Sequence, residues 1–131
     1  MGLEVANLAL AAYMTGVIWV VQVVLYPLFA CVGAAEWPVF HAGHARRIAW
    51  VVVGPMLAHP VVGIVLLVER PGALAAANLA LAGGLLLVTA GGFTRVHAGL
   101  EQADLGRLVR LNALRAAGWT ASLGVAVALA L

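Results

Sequence analysis

Four long stretches of the chain are dominated by apolar residues: residues 3–30, 38–68, 73–99 and 105–131. An α-helix needs about 20 mostly apolar residues to cross a bilayer, and each stretch supplies them. A strand reading fails. There is no period-two alternation, and an open sheet in lipid would leave backbone groups unpaired. The expected fold is therefore all-α, an integral membrane four-helix bundle, with the 131 residues forming one domain. Composition agrees. Hydrophobic residues make up 65% and charged residues 9%, against roughly 45–50% and about 25% in soluble domains. A soluble domain of this size exposes too much surface to hide that much apolar material.

Breaker residues separate the stretches. Pro27 lies near the end of the first, and a short connection, Val32 to Trp37, follows. Pro38 suits the first turn of the second segment. That segment is long for one span, so its first two turns are expected in the headgroup region. Pro55 and Pro60 lie inside it and are expected to kink it. Glu69-Arg70-Pro71-Gly72 is a tight turn, and Glu101 to Asp104 is a polar connection. The chain opens with Glu4 instead of basic residues, and its apolar run continues past Gln22, so a cleavable signal is not expected. Leu28-Phe29-Ala30-Cys31 resembles a lipoprotein cleavage box only by chance. Cys31 is the sole cysteine, so no internal disulfide can form.

Charge placement sets the expected orientation. All seven basic residues are arginines. Arg46 and Arg47 lie at the start of segment two, and Arg95, Arg107, Arg110 and Arg115 flank the connection between segments three and four. Only Arg70 lies on the opposite side. The positive-inside rule then puts the two basic connections in the cytoplasm and both termini outside, for a bacterial inner membrane. Arg107 and Arg110 read as lipid-headgroup anchors, and Trp37 and Trp50 as interfacial belt residues. In segment three Ala76, Ala80 and Gly84 recur every fourth position, the small-residue spacing that lets helices approach closely, within a bundle or in a homo-oligomer. Gly83-Gly84 and Gly91-Gly92 leave room for a bound group.

Polar residues inside such segments are costly and often functional. His41 and His44, three apart, share one helix face and can chelate one metal ion. His97 and Glu101, four apart, share another. Folding segments two and three back at Arg70 and Pro71 brings His44 level with His97, and His41 level with Glu101. Folding segments one and two at residues 33–35 brings Tyr26 level with His41, and Gln22 near Arg46. Three histidines and a glutamate are thus expected at one depth near the cytoplasmic face, with Tyr26 and Gln22 close by as substrate-orienting groups. Trp19, one turn before Gln22, reads as packing or as a further wall of that cavity. Imidazole-rich ligation suits iron, copper or zinc, or a b-type haem with His97 facing His44 or His41 across the bundle. The bland reading leaves His41 and His44 idle at the interface and His97 at a helix end.

His59 lies about 22 Å further along the helix than His44 and reads as a separate core residue, bonded to Tyr13, Asn7 or Asn78. Pro60, lacking an N–H, would free a carbonyl near Met56. On segment four, Asn112, Arg115 and Trp119 form a stripe at spacings of three and four. Arg115, about two turns inside that helix, either snorkels to the headgroups or clamps an anion: a substrate carboxylate, a phenolate or a haem propionate.

The run Met14-Thr15-Gly16-Val17-Ile18-Trp19-Val20-Val21-Gln22, then Tyr26-Pro27-Leu28-Phe29, carries a resemblance. So do the histidine pair, Gly54-Pro55-Met56-Leu57, His97 with a leucine after it, and Leu111-Asn112-Ala113-Leu114-Arg115 followed by Trp119-Thr120-Ala121. Together they resemble an uncharacterised family of small bacterial four-span membrane proteins. The ending is also similar to that of the anthrone-oxygenase-like membrane family. The resemblance implies oxygen-dependent oxidation of an aromatic or otherwise lipophilic substrate. It departs at Leu25, where a histidine would be expected, and at His59, where a glutamate would be; if those positions carry chemistry in relatives, the activity here is altered.

Three function classes fit these residues. The first is a membrane-embedded metal- or haem-dependent oxidoreductase or oxygenase acting on a lipophilic or aromatic small molecule, with His41, His44, His97 and Glu101 as ligands and Tyr26, Gln22 and Arg115 at the substrate. The second is a small metal-ion or solute carrier, with His59 and Asn78 as its middle station. The third is a non-catalytic membrane assembly subunit docking through segment three. No nucleotide-binding motif, nucleophilic triad or nucleic-acid surface is present, and topology explains the arginines.

Overall fold

The structure, a computed structural model, describes residues 2–93 and 104–131, with side chains through residue 91 in the first of these blocks. Every regular element among them is helical. Helix α1 (Gly2–Val20) passes through a π turn (Val21–Leu25) into the short α2 (Tyr26–Phe29). Helix α3 covers Trp37–Glu69. Helix α4 (Ala73–Val88) widens into a second π turn (Thr89–Phe93), and α5 covers Leu105–Ala130. Four rods are long and apolar enough to cross a bilayer: Gly2–Phe29, Trp37–Glu69, Ala73–Gly91 and Leu105–Ala130. Their starts fall within a residue of the expected ones. The end expected for the third segment, Gly99, lies outside the described residues.

Helix α1 packs against α3 and α5, and α4 packs against the same two. The rods therefore form a ring in chain order, closed by α1 against α5. Their outer faces are strongly apolar: Val39, Trp50, Val68, Leu87 and Leu114 are 71–86% exposed. Apolar surface spread over several rods in this way is what lipid covers. Trp37, expected at the interface, is instead buried, packed edge-on against Phe29 at 5.7 Å. It joins an aromatic cluster with Tyr26, Phe29 and Leu108 that closes one end of the bundle. Met14, Ile18, Met56, Leu85, Ala116 and Trp119 fill the middle. At Gly118 a Cβ would lie 2.8 Å from Leu85, so α4 and α5 approach through the missing side chain.

The small-residue stripe does not serve the bundle as expected. Ala76 and Ala80 face outward, and the inward face of α4 is built from Ala75, Asn78, Ala82 and Leu85.

Polar pairs tie the rods together at the end opposite the aromatic cluster. Asn7 and Asn78, both fully buried, exchange two amide hydrogen bonds of 3.0 Å across the centre. One turn further out, Arg70 reaches the Glu4 carboxylate at 2.9 Å. Thr15 donates to the Ala11 carbonyl and lies 2.9 Å from that of Trp119, linking α1 to α5.

Helix α3 stays helical through both prolines. Pro55 has no N–H, so the carbonyl four residues earlier, that of Val51, loses its donor. The Tyr13 hydroxyl donates to it at 3.1 Å. A side chain of α1 thus restores the hydrogen bond that the proline removed from α3.

Two stability predictions follow from these bonds. Asn7→Leu or Asn78→Leu alone leaves one buried amide bare and lowers unfolding free energy in detergent by about 1–2 kcal/mol, while the double variant loses clearly less than the sum. Additive losses would show that the two amides are not coupled. Tyr13→Phe costs about 1 kcal/mol in the native background and close to nothing in a Pro55→Ala background, where residue 55 regains its donor. An equal loss in both backgrounds would refute the proline-repair role.

Candidate functional site

Helices α1, α3 and α5, with Thr89 of the second π turn, border a partly open cavity of about 500 Å³. The space arises because α3 turns Ala42, Ala45 and Ala49 toward it, one turn apart, where larger residues would fill it. Val17, Ile18 and Val21 of the first rod face them, and Met14 and Met56 form the floor. Into this apolar volume project five polar side chains: Tyr26, His41, His44, Thr89 and Arg115. A mostly apolar pocket with a few convergent polar groups is the usual form of a small-molecule site.

Arg115 sits on α5 with only 6% of its surface exposed. It does not snorkel. Its Nη1 donates to Asn112 Oδ1 at 3.1 Å and its Nε to Thr89 Oγ1 at 3.2 Å. Asn112 in turn donates to Gln22 Oε1 at 2.8 Å, and Thr89 donates to the Leu85 carbonyl at 2.7 Å. A chain of bonds thus crosses three rods and holds the guanidinium at the cavity wall. Charge-assisted bonds of this kind are stronger than neutral ones.

Both ends of that chain rest on π turns. Gln22 lies in Val21–Leu25, where the Tyr26 N–H reaches back five residues to the Val21 carbonyl. Pro27, just beyond, lacks the N–H that regular helix would give to Val23, which favours the wider turn. Thr89 opens the second π turn, and its N–H is shared between the Leu85 and Leu86 carbonyls. Such turns recur at functional sites because they re-aim side chains that an α-helix would stack. Here the turn separates two residues expected side by side. Tyr26 faces the cavity, whereas Gln22 is absent from its lining and bonds to Asn112 instead.

The histidine pair lines the cavity at the aromatic end. His41 stacks on Trp37 at 5.2 Å and 16°, and His44 meets the edge of Phe29 at 4.9 Å. Both rings are thus packed against aromatic side chains, one stacked and one T-shaped, while bordering the open volume. Tyr26 and His41 reach the same cavity, as the level matching required. His97 and Glu101 lie outside the described residues, so the convergence expected of them is not addressed. Among the described residues no three His, Cys, Asp or Glu side chains group as a metal site.

Three further expectations differ from what is found. Trp19 is half exposed, donates to Thr120 Oγ1 at 3.0 Å and does not line the cavity. Gly83, Gly84 and Gly91 likewise lie away from it. His59 is fully buried but bonds to none of Tyr13, Asn7 or Asn78, whose polar groups are directed to Val51 and to each other. It stacks on Trp119 at 5.6 Å, and neither ring nitrogen has a hydrogen-bond partner. Thr89 escaped the sequence reading; a hydroxyl in an apolar run just ahead of Gly91-Gly92 was its only signal.

A buried polar group without a partner is a net cost of about 1–3 kcal/mol. His59→Leu and His59→Phe are accordingly expected to match or exceed the native protein in detergent unfolding. A loss beyond about 2 kcal/mol in both variants would show that the imidazole is bonded after all. Compared with known family models, curated proteins and solved structures, the chain has no significant match.

Proposed function

We propose that the chain is a multi-pass protein of the bacterial inner membrane, with both termini outside, that holds a lipophilic or aromatic small molecule in this cavity and oxidises it with molecular oxygen as the electron acceptor, using a bound redox-active metal or haem. The observation that carries the reading is the cavity itself. Its walls are apolar, and one cation, one phenol and two imidazoles meet within it. Packing alone gives no reason to bury an arginine there at the expense of three supporting hydrogen-bonding side chains.

His41 and His44 would hold the metal. Two imidazoles three apart on one helix face, both bordering the same volume, fit part of the donor set of iron, copper or zinc. His97 and Glu101 are the proposed remaining ligands. A b-type haem would need a further imidazole beside His41 or His44, the part the sequence reading gives to His97. When bound, iron or copper would supply the electron-transfer chemistry; zinc, which has no redox chemistry, would not. The chain's own residues bind and orient: the apolar walls take the body of the substrate, Arg115 and Tyr26 its oxygen functions, and Phe29 and Trp37 fix the imidazole rings. The resemblance to oxygenase-like membrane proteins supports the same class of reaction.

No observation favours the carrier reading, because the Asn78 amide is committed to Asn7 and makes no hydrogen bond with His59. The outward-facing Ala76 and Ala80 are compatible with homo-oligomer formation beside the enzymatic role, or with an assembly subunit.

Elemental analysis and an absorption spectrum of detergent-purified protein test the proposal. One equivalent of iron or copper, or a Soret band, is expected, and His44→Ala should lower occupancy at least about tenfold; zinc alone would support a metal site but not the oxidation. Metal-free, colourless protein that stays so after reconstitution with each metal and with haemin would exclude the metal-dependent reading.

A further inference from the structure

We infer that the cavity has a deeper polar subsite, formed by His59, Trp119 and Ser122 beyond its methionine floor, which takes an uncharged oxygen function, a carbonyl or hydroxyl, at the inner end of the ligand. The inference rests on the cavity being a ligand site and adds where that ligand's inner end is held. All three side chains are fully buried. Both ring nitrogens of His59, the indole Nε1 of Trp119 and the Ser122 hydroxyl have no hydrogen-bond partner among the described residues. Buried polar groups are nearly always paired. Orphans that gather at one place, instead of scattering, mark a position where the partner comes from outside the chain.

The gathering follows from the ring of rods, in which α3 and α5 stand opposite each other. The stack of His59 on Trp119, at 5.6 Å and 24°, therefore bridges the middle of the ring. Ser122 follows Trp119 by three residues and shares its face of α5. Met56 precedes His59 by three residues on α3, and Met14, Met56 and Trp119 pack in one cluster. Met14 and Met56 also line the cavity. The two methionines are thus the layer between the open volume and the orphaned groups. Methionine is unbranched and adapts its shape readily, so rotation of these side chains opens a way through without moving a helix. The backbone beneath Met56 is also less tied than regular helix. Pro55 and Pro60 have no N–H, so the Val51 and Met56 carbonyls both lose the donor four residues on. Tyr13 replaces the one at Val51.

The donor set selects the ligand group. A neutral imidazole has one donor and one acceptor, an indole N–H only donates, and a hydroxyl does both. Donors outnumber acceptors, so the complement is an oxygen with free lone pairs. With the imidazole neutral none of the three carries charge, and a charged group would lose its hydration here without a counter-ion. An uncharged oxygen instead gains bonds. Its entry breaks none between protein side chains, because these donors have no partner to give up.

The test uses 2-acetylanthracene and 2-isopropenylanthracene, which share a body and a shape and differ in a carbonyl oxygen against a methylene carbon. Binding is read by anthracene fluorescence on the full chain in lipid nanodiscs, corrected for partition into protein-free nanodiscs. A second reading follows the Trp119 indole N–H resonance in protein labelled with ¹⁵N at tryptophan, assigned by its loss in Trp119→Phe. The native protein should bind the acetyl compound about threefold to tenfold more tightly, the worth of one neutral hydrogen bond, and only that compound should move the Trp119 signal downfield. His59→Leu and Trp119→Phe should each reduce the preference while keeping affinity for the isopropenyl compound. Equal affinity of the native protein for both probes, with the indole signal unmoved, would overturn the subsite and leave the cavity reading standing. No saturable binding of either would overturn both. A preference left intact in the two variants would overturn its assignment to these residues. Rapid magnetisation exchange between the Trp119 N–H and a bound water before any ligand is added would also overturn it, by showing that water already holds these groups.

Discussion

The architecture of the site depends on keeping one guanidinium inside a bundle of apolar helices. A charge there is tolerated only if its donors are met by acceptors that are themselves held in place. Arg115 satisfies that condition through Asn112 and Thr89, and these through Gln22 and the Leu85 carbonyl. Three of the four rods are committed to the arrangement, and both π turns serve it. Remove the chain of bonds, and the guanidinium that the cavity wall presents loses the acceptors that hold it there.

The same requirement explains the rest of the polar inventory. One interruption of helix chemistry meets a specific repair. Pro55 frees the Val51 carbonyl, and Tyr13 from the neighbouring rod donates to it. Two amides that would be costly alone become a reciprocal pair at Asn7 and Asn78. His59, Trp119 and Ser122 stand outside this pattern, each with a buried polar atom lacking a partner. The stack of His59 on Trp119 offsets part of that cost through ring contact alone. The stretch of core around them is held by shape, whereas the two ends are held by hydrogen bonds and aromatic packing.

Division of labour along the bundle follows. One end is locked by Glu4–Arg70 and the asparagine pair. The other is closed by Tyr26, Phe29, Trp37 and the two histidines. Between them, small residues on α3 leave volume that neither end needs for stability. The proposed chemistry is placed where rigid walls, two imidazoles and a fixed cation coincide.

Much of this was legible in the chain itself. Length and continuity of apolar residues decided the four rods and where each starts, because a helix crossing hydrocarbon has a minimum length and must satisfy its own backbone. The placement of Asn112, Arg115 and Trp119 on one inward stripe also followed from helical periodicity, as did the shared face of His41 and His44. Periodicity could not foresee the π turn at Val21–Leu25, so Gln22 was expected beside Tyr26 at the substrate and instead supports Asn112. Nor could it tell which small residues are covered: Ala76 and Ala80 have the spacing of a contact stripe, yet Ala75, Asn78 and Ala82 make the contact. Sequence fixes which side chains share a face of one helix, because that depends on local geometry alone. Which face meets which neighbour, and therefore that a cavity with Arg115 at its wall exists at all, is set by how four helices rotate to bury their polar groups together, and only the assembled bundle decides it.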